Sequence, residues 1–420
     1  MRRIAFTLAL LCAAPAAADT LHEAMADAEA SNPSLAAQRA RLAASREALP
    51  QAWAAALPQV SLSAGASYAD RYGTTTTGES LDDVPRDESW SGGVSGSQLL
   101  FGSGRVWAST RAARAQIRGA VADYDFAAQS LLLDVAAAYA DVRQARAVVA
   151  ARETTVSNLS TLFEYAQAQF DAGVVTRTDV AQSQARLAQA RTQLVQAQGG
   201  LAAAVQAYQR LVGRPPETLE DPASVENLPA DLGTALEIAG QQSPTLRGAI
   251  AATEQADAGV DVAAASGRAR ITLEASSSIA GDFEPEDFET SSDSVGVRLS
   301  IPLFSGGAVR SQTRQQRALR SAANLELAAA RRSVEESVTN AFTGLNSARA
   351  AVISAREQVS ASELAYEGVR LEQETGLRST VEVLDQEQDL LTARLALAQA
   401  ERDLVVAERQ MQAAMGVLAP

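Results

Sequence analysis

The chain has 420 residues, 47% of them hydrophobic, and its 36 basic residues, all arginine, stand against 50 acidic ones for a net charge of −14. That balance argues against nucleic acid as a partner. Cys12 is the only cysteine and His22 the only histidine, which leaves no disulfide, no thiol nucleophile, no His-based triad and no zinc site of the usual kind.

The first residues read MRRIAFTLALLCAAPAAADT. Arg2 and Arg3 form a basic n-region, Ile4 to Ala14 an apolar stretch, and Ala16-Ala17-Ala18 a cleavage site, so residues 1–18 are predicted to be a secretory signal peptide. The apolar stretch is too short to span a bilayer. Processing before Asp19 removes two arginines and takes the net charge from −14 to −16. No later stretch holds 18 apolar residues, so the mature chain is expected in the periplasm, outside the cell, or as a barrel of the outer membrane. His22 falls in an N-terminal helical pattern and reads as a surface residue rather than a ligand.

A helical stretch is predicted over 33–56, then a strand. In VSLSAGASY (60–68), Val60, Leu62, Ala64, Ala66 and Tyr68 share one face, while Ser61, Ser63, Gly65 and Ser67 share the other. Period-two alternation predicts a sheet with one apolar and one polar face. The polar face is mostly Ser and Gly, as a wet lumen would have. Tyr68 and Trp90 sit where an interfacial aromatic girdle would lie. Residues 71–88 form a Gly-, Thr- and Asp-rich loop, expected outside the cell and tolerant of insertion. The returning strand ends in SQLLFGSG (97–104).

From Arg105 to Phe170 there is no proline, and Gly119 is the only glycine. Leu132, Val135, Tyr139, Val142 and Val149 follow helical spacing. A helix of this length reaches about 100 Å at ~1.5 Å per residue, so it must pack as a coiled coil. FDAGVVTRTDV (170–180) turns the chain, a second helix is predicted over 177–212, and GRPPETLEDP (213–222) follows as a Pro-rich connector.

The same order is then written again. NPSL (32–35) is echoed by SPTL (243–246), and PQVSL (58–62) by ARITL (269–273), both at an offset of 211. SQLLFGSG is echoed by SIPLFSGG (300–307), and 170–180 by QETGLRSTVEV (373–383), both at 203. The offset changes once, by eight residues, in the loop near 282–293. Ordered matches with one consistent indel predict an internal two-fold repeat. The expected organisation is a first repeat over 19–212, a connector over 213–232 and a second repeat over 233–420. In the second half, Val295, Val297, Leu299, Ile301 and Leu303 alternate on one strand face, and the second long helix runs from about 309 to 375.

Each half supplies two strands. Four strands cannot close a barrel, and an open sheet edge cannot sit in lipid. Two chains sharing a barrel would fill its interior with side chains, whereas three chains and twelve strands would leave a passage. The small residues of the polar face favour three.

With these features the chain resembles the TolC-family outer-membrane efflux proteins across essentially the whole mature sequence. The resemblance rests on NPSLAAQRARL with its echo SPTL, on LLFGSG and PLFSGG, and on the turns AGVVTRTDV and TGLRSTVEVLD. It implies a mostly α protein with a small membrane β part. Three protomers would form an α-helical barrel continuous with a twelve-stranded β-barrel in the outer membrane, extending into the periplasm. The implied role is a passive exit duct for tripartite efflux or type I secretion. A periplasmic adaptor and an inner-membrane ABC or RND transporter supply cargo and energy. No cofactor is expected.

The helical turns are the candidate functional residues. Gly173 and Gly376 follow long helices and read as left-handed caps. The resemblance implies that they dock the adaptor together with Val174, Thr176, Leu377 and Ser379. Glu382 and Asp385 are three apart and share a helical face. The resemblance implies that they form acidic rings at the periplasmic entrance, and that Asp179 and Arg378 form the link holding it narrow. A tyrosine expected as third partner of that link is Gln373 here. At the strand-to-helix junctions, Phe101 and Phe304 are expected to pack, while Gly104, Gly307 and Pro302 turn the chain. An enzyme is disfavoured by the missing chemistry, and a diffusion porin by the long helices. A periplasmic coiled-coil adaptor is the alternative; it would carry one helical hairpin rather than two that each include a strand pair.

Overall fold

In the computed structural model, residues 19–69, 87–225, 228–283 and 289–420 are described. The signal-peptide residues 1–18, most of the 71–88 loop and residues 284–288 of its counterpart lie outside them.

The chain opens with α1 (Leu21–Ser31), α2 (Pro33–Arg46) and α3 (Ala48–Ala54), followed by β1 (Gln59–Ala69), β2 (Asp87–Phe101), α4 (Arg105–Asp171) and α5 (Arg177–Val212). After the connector come α6 (Leu232–Gln242), α7 (Pro244–Ala265), β3 (Arg270–Asp282), β4 (Thr290–Ser300), α8 (Ala308–Glu374) and α9 (Thr380–Met415). The long helices α4 and α8 have 67 residues each, and α5 and α9 have 36 each.

The NPSL and SPTL phrases are helix breaks. Asn32 and Ser243 take extended backbone, ψ 122° in both, because the following proline excludes the helical region for the residue before it. Pro33 and Pro244 then open α2 and α7, where a missing N–H leaves nothing unsatisfied. The Asn32 side chain donates through Nδ2 to the Leu211 carbonyl at 3.0 Å and accepts through Oδ1 from the Ser34 backbone amide at 2.9 Å. The helix expected over 33–56 divides at Glu47. Pro50 offers no N–H to the Arg46 carbonyl and its ring crowds that carbonyl. The last strand also stops short of 304, at Ser300, since Pro302 cannot continue a ladder.

The described residues form two compact units. One comprises Ala40–Ala122 and Arg247–Ala330; the other comprises the chain up to Arg39, Asp123–Leu246 and Arg331–Pro420. The first holds the sheet, antiparallel throughout in the order β1-β2-β3-β4. Its two faces differ in chemistry. Val60, Leu62, Val94, Ile279, Val295, Val297 and Leu299 point to one side, and Leu62 and Val295 are each 80% exposed. On the other side serines pair across strands, Ser61 with Ser95, Ser67 with Ser89 and Ser276 with Ser294, each at 2.8 Å. Arg298 pairs with Glu274 at 2.8 Å on that same face. Both faces are exposed in the single chain, so the apolar side is left uncovered, unlike that of a half-buried sheet in water.

The second unit holds the main core. Leu132, Val135, Tyr139 and Val142 of α4 are buried with Leu21 and Met25 of α1 and Tyr208 of α5. The Tyr139 hydroxyl donates to the carbonyls of Asp19 and Glu220, both at 2.8 Å. Arg214 of the connector grips the Asp19 carboxylate at 2.7 Å and reaches Asp27 at 2.8 Å. The connector is therefore fastened to both α1 and α4.

Candidate functional site

The two turns that end the long helices are built alike. Gly173 and Gly376 have φ of +77° and +79°, where a side chain would be strained. In the first, the Gly173 amide donates to Phe170 O and the Val174 amide to Gln169 O, both at 2.8 Å. In the second, Gly376 donates to Gln373 O and Leu377 to Glu372 O, both at 2.9 Å. This is the Schellman pattern, which satisfies the last carbonyls of a helix. Val174 and Leu377 stand exposed at the apices.

The outgoing helices begin on capping boxes. At α5 the Asp179 carboxylate accepts from the Thr176 amide at 2.9 Å, and Thr176 Oγ1 accepts from the Asp179 amide at 3.4 Å. At α9 the Glu382 carboxylate accepts from the Ser379 amide at 2.9 Å, and Ser379 Oγ accepts from the Glu382 amide at 3.4 Å. Asp179 and Glu382 are therefore counterparts, 203 residues apart. The signal was present in the sequence as T-x-x-D and S-x-x-E ahead of apolar runs.

The expected Asp179–Arg378 link is not made within the chain, because both groups are engaged elsewhere. Asp179 is held by its cap, and Arg378 reaches Glu372 and Glu382, both at 2.8 Å. Backbone and hydroxyl donors at Ser379, with the Arg378 guanidinium, bring the Glu382 carboxyl down to about 2. Gln373 is buried and donates to Thr380 Oγ1 at 3.2 Å, so it ties the second turn internally. Asp385 does not bond Glu382; it pairs with Arg186 of α5 at 3.2 Å, a residue that sequence reasoning passed over.

Glu387, five residues beyond Glu382, was also missed. It is 1% exposed, and accepts from Asn158 of α4 at 3.0 Å. Burial pushes its carboxyl up, against the Asn158 hydrogen bond to Oε2, while Oε1 is buried without a partner. Its sequence signal is weak: VEVLDQEQDL is acidic throughout, and only packing singles out one carboxylate.

At the strand-to-helix junctions Gly104 and Gly307 have φ of +85° and +83°. The aromatic residues do not pack there within the chain: Phe101 is 53% and Phe304 90% exposed. Pro302 and Phe304 lie between β4 and α8, outside regular structure. Among the described residues no three His, Cys, Asp or Glu side chains gather as a metal site.

Comparison with known proteins places this architecture. The family model for outer membrane efflux protein matches residues 24–214 and 235–417. The outer membrane efflux protein BepC of Brucella suis is 30% identical over 410 residues, covering 96% of this chain and 86% of that protein. The alkaline protease secretion protein AprF of Pseudomonas aeruginosa is 29% identical, covering 87% of this chain and 78% of that one. In fold, the outer membrane protein VceC of Vibrio cholerae superposes with a TM-score of 0.79 at 20% identity, over 94% of this chain and 96% of that one. With both halves matched by the model and a relative aligned along nearly its full length, the chain belongs to the outer membrane efflux protein family.

Proposed function

We propose that the protein is a passive exit duct of the outer membrane, working as a homotrimer whose twelve strands close one β-barrel. One observation carries this reading. The four-stranded sheet exposes its apolar face, pairs serines on the other, and leaves β1 and β4 as open edges. In lipid every edge must find a partner, and three copies give a closed barrel wide enough to hold water. Family membership supports the same reading, as do the secretion and efflux relatives. Nothing in the comparisons supports the adaptor alternative. In this reading the protein conducts and does not catalyse.

The inferred partners are a periplasmic adaptor and an inner-membrane ABC or RND transporter. Docking at the turns around Gly173 and Gly376 is supported by exposed Val174 and Leu377 on rigid caps, flanked by Thr176 and Ser379. Glu382 and Asp385 are assigned to the periplasmic mouth, and the Asp179–Arg378 link is assigned to the boundary between neighbouring protomers. The domain reading is two repeats, 19–212 and 233–420, joined by the 213–232 connector. Mass measurement of the detergent-extracted protein tests the assembly: a trimer is expected, and a monomer or dimer as the sole species would overturn the shared barrel.

A further inference from the structure

Near the ends of the strands, within the sheet unit, a cavity of about 590 Å³ is lined by Arg105, Arg268 and Arg270 and by no carboxylate. This is unusual for the chain, which carries 14 more acidic than basic residues. Three other arginines of the unit, on α4 and α8, are paired: Arg111 with Asp261, Arg118 with Glu254 and Arg320 with Asp257. The exposed guanidinium groups of Arg105, Arg268 and Arg270 have no hydrogen-bond or ion-pair partner among the described residues.

Three unpaired guanidinium groups in one concave site repel each other and focus a positive potential. Their forked donors match oxyanions. The rest of the wall is of two kinds. Ser109 adds a hydroxyl group, those of Ser266 and Thr272 already donating to the Ala263 carbonyl and to Glu274, whereas Leu99, Val106 and Ala52 are apolar. Arg270 and Thr272 alternate in phase with Ser276, so the cavity opens on the serine face of the sheet and not on its apolar face.

We infer that this cavity binds an amphiphilic oxyanion, a phosphate, sulfate or carboxylate head on an apolar body, as cargo in transit. The arginines take the head, and Leu99, Val106 and Ala52 take the body. The inference rests on the duct reading for the word transit; the binding site itself does not.

The probe is hexyl phosphate, with inorganic phosphate as control, titrated calorimetrically into the full chain in lipid nanodiscs. Hexyl phosphate is expected to bind about tenfold more tightly than inorganic phosphate, because its chain leaves water. The double substitution Arg268→Gln with Arg270→Gln should weaken it at least about tenfold, with Arg268→Lys and Arg270→Lys keeping part of the affinity and thermal unfolding unchanged throughout. Equal binding by the Gln variant removes the site. Equal affinity for inorganic phosphate removes the apolar half of the assignment. In planar bilayers the same probe should block current in the wild type and not in the Gln variant. Binding without block keeps the oxyanion site and takes it off the conducting path, which separates failure of the site from failure of the duct reading.

Discussion

The two helical hairpins, α4–α5 and α8–α9, share lengths, caps and turn geometry, yet their surroundings differ. In the first, α5 buries Ser183, Leu187 and Ala190 near its start and exposes Gln184. In the second, α9 buries Thr380, Val383, Leu384 and Glu387, and Glu387 stands at the position of Gln184, 203 residues on. The reason is contact. α9 reaches α4 through Arg402–Asp141 and Asn158–Glu387, α5 through Arg186–Asp385, and α8 through Arg394–Glu363. A duplicated sequence therefore gives duplicated local structure, but the neighbours differ: α5 meets α1, α4 and α9, whereas α9 meets α4, α5, α6 and α8. Specialised chemistry collects there, in the Glu372–Arg378–Glu382 triad and the buried Glu387.

The largest expected break in this symmetry lies at the far ends of the hairpins. Gly213 and Gly416 cap α5 and α9 with φ of +91° and +80°. A Cβ at Gly213 meets only Ser31 Oγ at 3.6 Å, whereas one at Gly416 falls 2.7 Å from the Gln242 carbonyl oxygen. Gly213→Ala should cost about 1 kcal/mol for the backbone conformation alone. Gly416→Ala must also displace backbone, and should cost about 3 kcal/mol or more. Thermal unfolding followed by circular dichroism compares them. Equal losses would mean that the α6–α7 junction yields freely.

Glu387 sharpens the comparison in the opposite direction. Its carboxyl is raised by burial, so the folded protein favours the protonated form. That contribution is complete below the unfolded-state value and is lost as pH rises through the folded value, so at neutral pH the buried charge is a liability. Glu387→Gln keeps an acceptor for Asn158 and should raise stability by about 1 kcal/mol at pH 8, with a smaller gain at pH 4. Gln184→Glu in the first hairpin, on an exposed face, should change little at either pH. A gain that is the same at both pH values would show that Glu387 is not carrying a charge.

Much of this was legible in the sequence. Strand alternation, two long proline-free helices and the capping glycines depend on local patterns, and each has its element in the fold. The split at Glu47 was missed because the helical pattern of 33–56 outweighed Pro50. Phe101 and Phe304 are expected to pack at the junction, and within one chain they stand 53% and 90% exposed. Arg186 and Glu387 could not be read because their partners lie about 200 residues away. Spacing identifies a helical face, but not what meets it. Glu382 was legible twice, as a cap acid and as one of two carboxylates on one face, and sequence alone does not choose.

That choice is the smallest effect and the one closest to function. If Glu382 served only as a cap, its loss would resemble that of Asp179, its counterpart in the first hairpin. Both substitutions would fray a helix start, and neither would alter which ions pass. In the mouth reading only the second copy carries charge into the passage. The Ser379 donors and Arg378 hold the Glu382 carboxyl near 2, so its charge persists on acidification to about pH 3, and any stability it adds is lost only as pH falls through that value. Glu382→Gln combined with Asp385→Asn should lower cation selectivity and divalent block in planar bilayers, because carboxylates around a constriction favour cations. Asp179→Asn should leave selectivity unchanged. Arg378→Ser uncovers Glu372 and Glu382 together, so it should raise cation selectivity, and it should also raise conductance where the link to a neighbouring Asp179 is lost. Wild-type selectivity in the Glu382–Asp385 double variant would return both residues to the helix surface. A shift in Asp179→Asn as large as in that variant would erase the difference between the two hairpins at their tips.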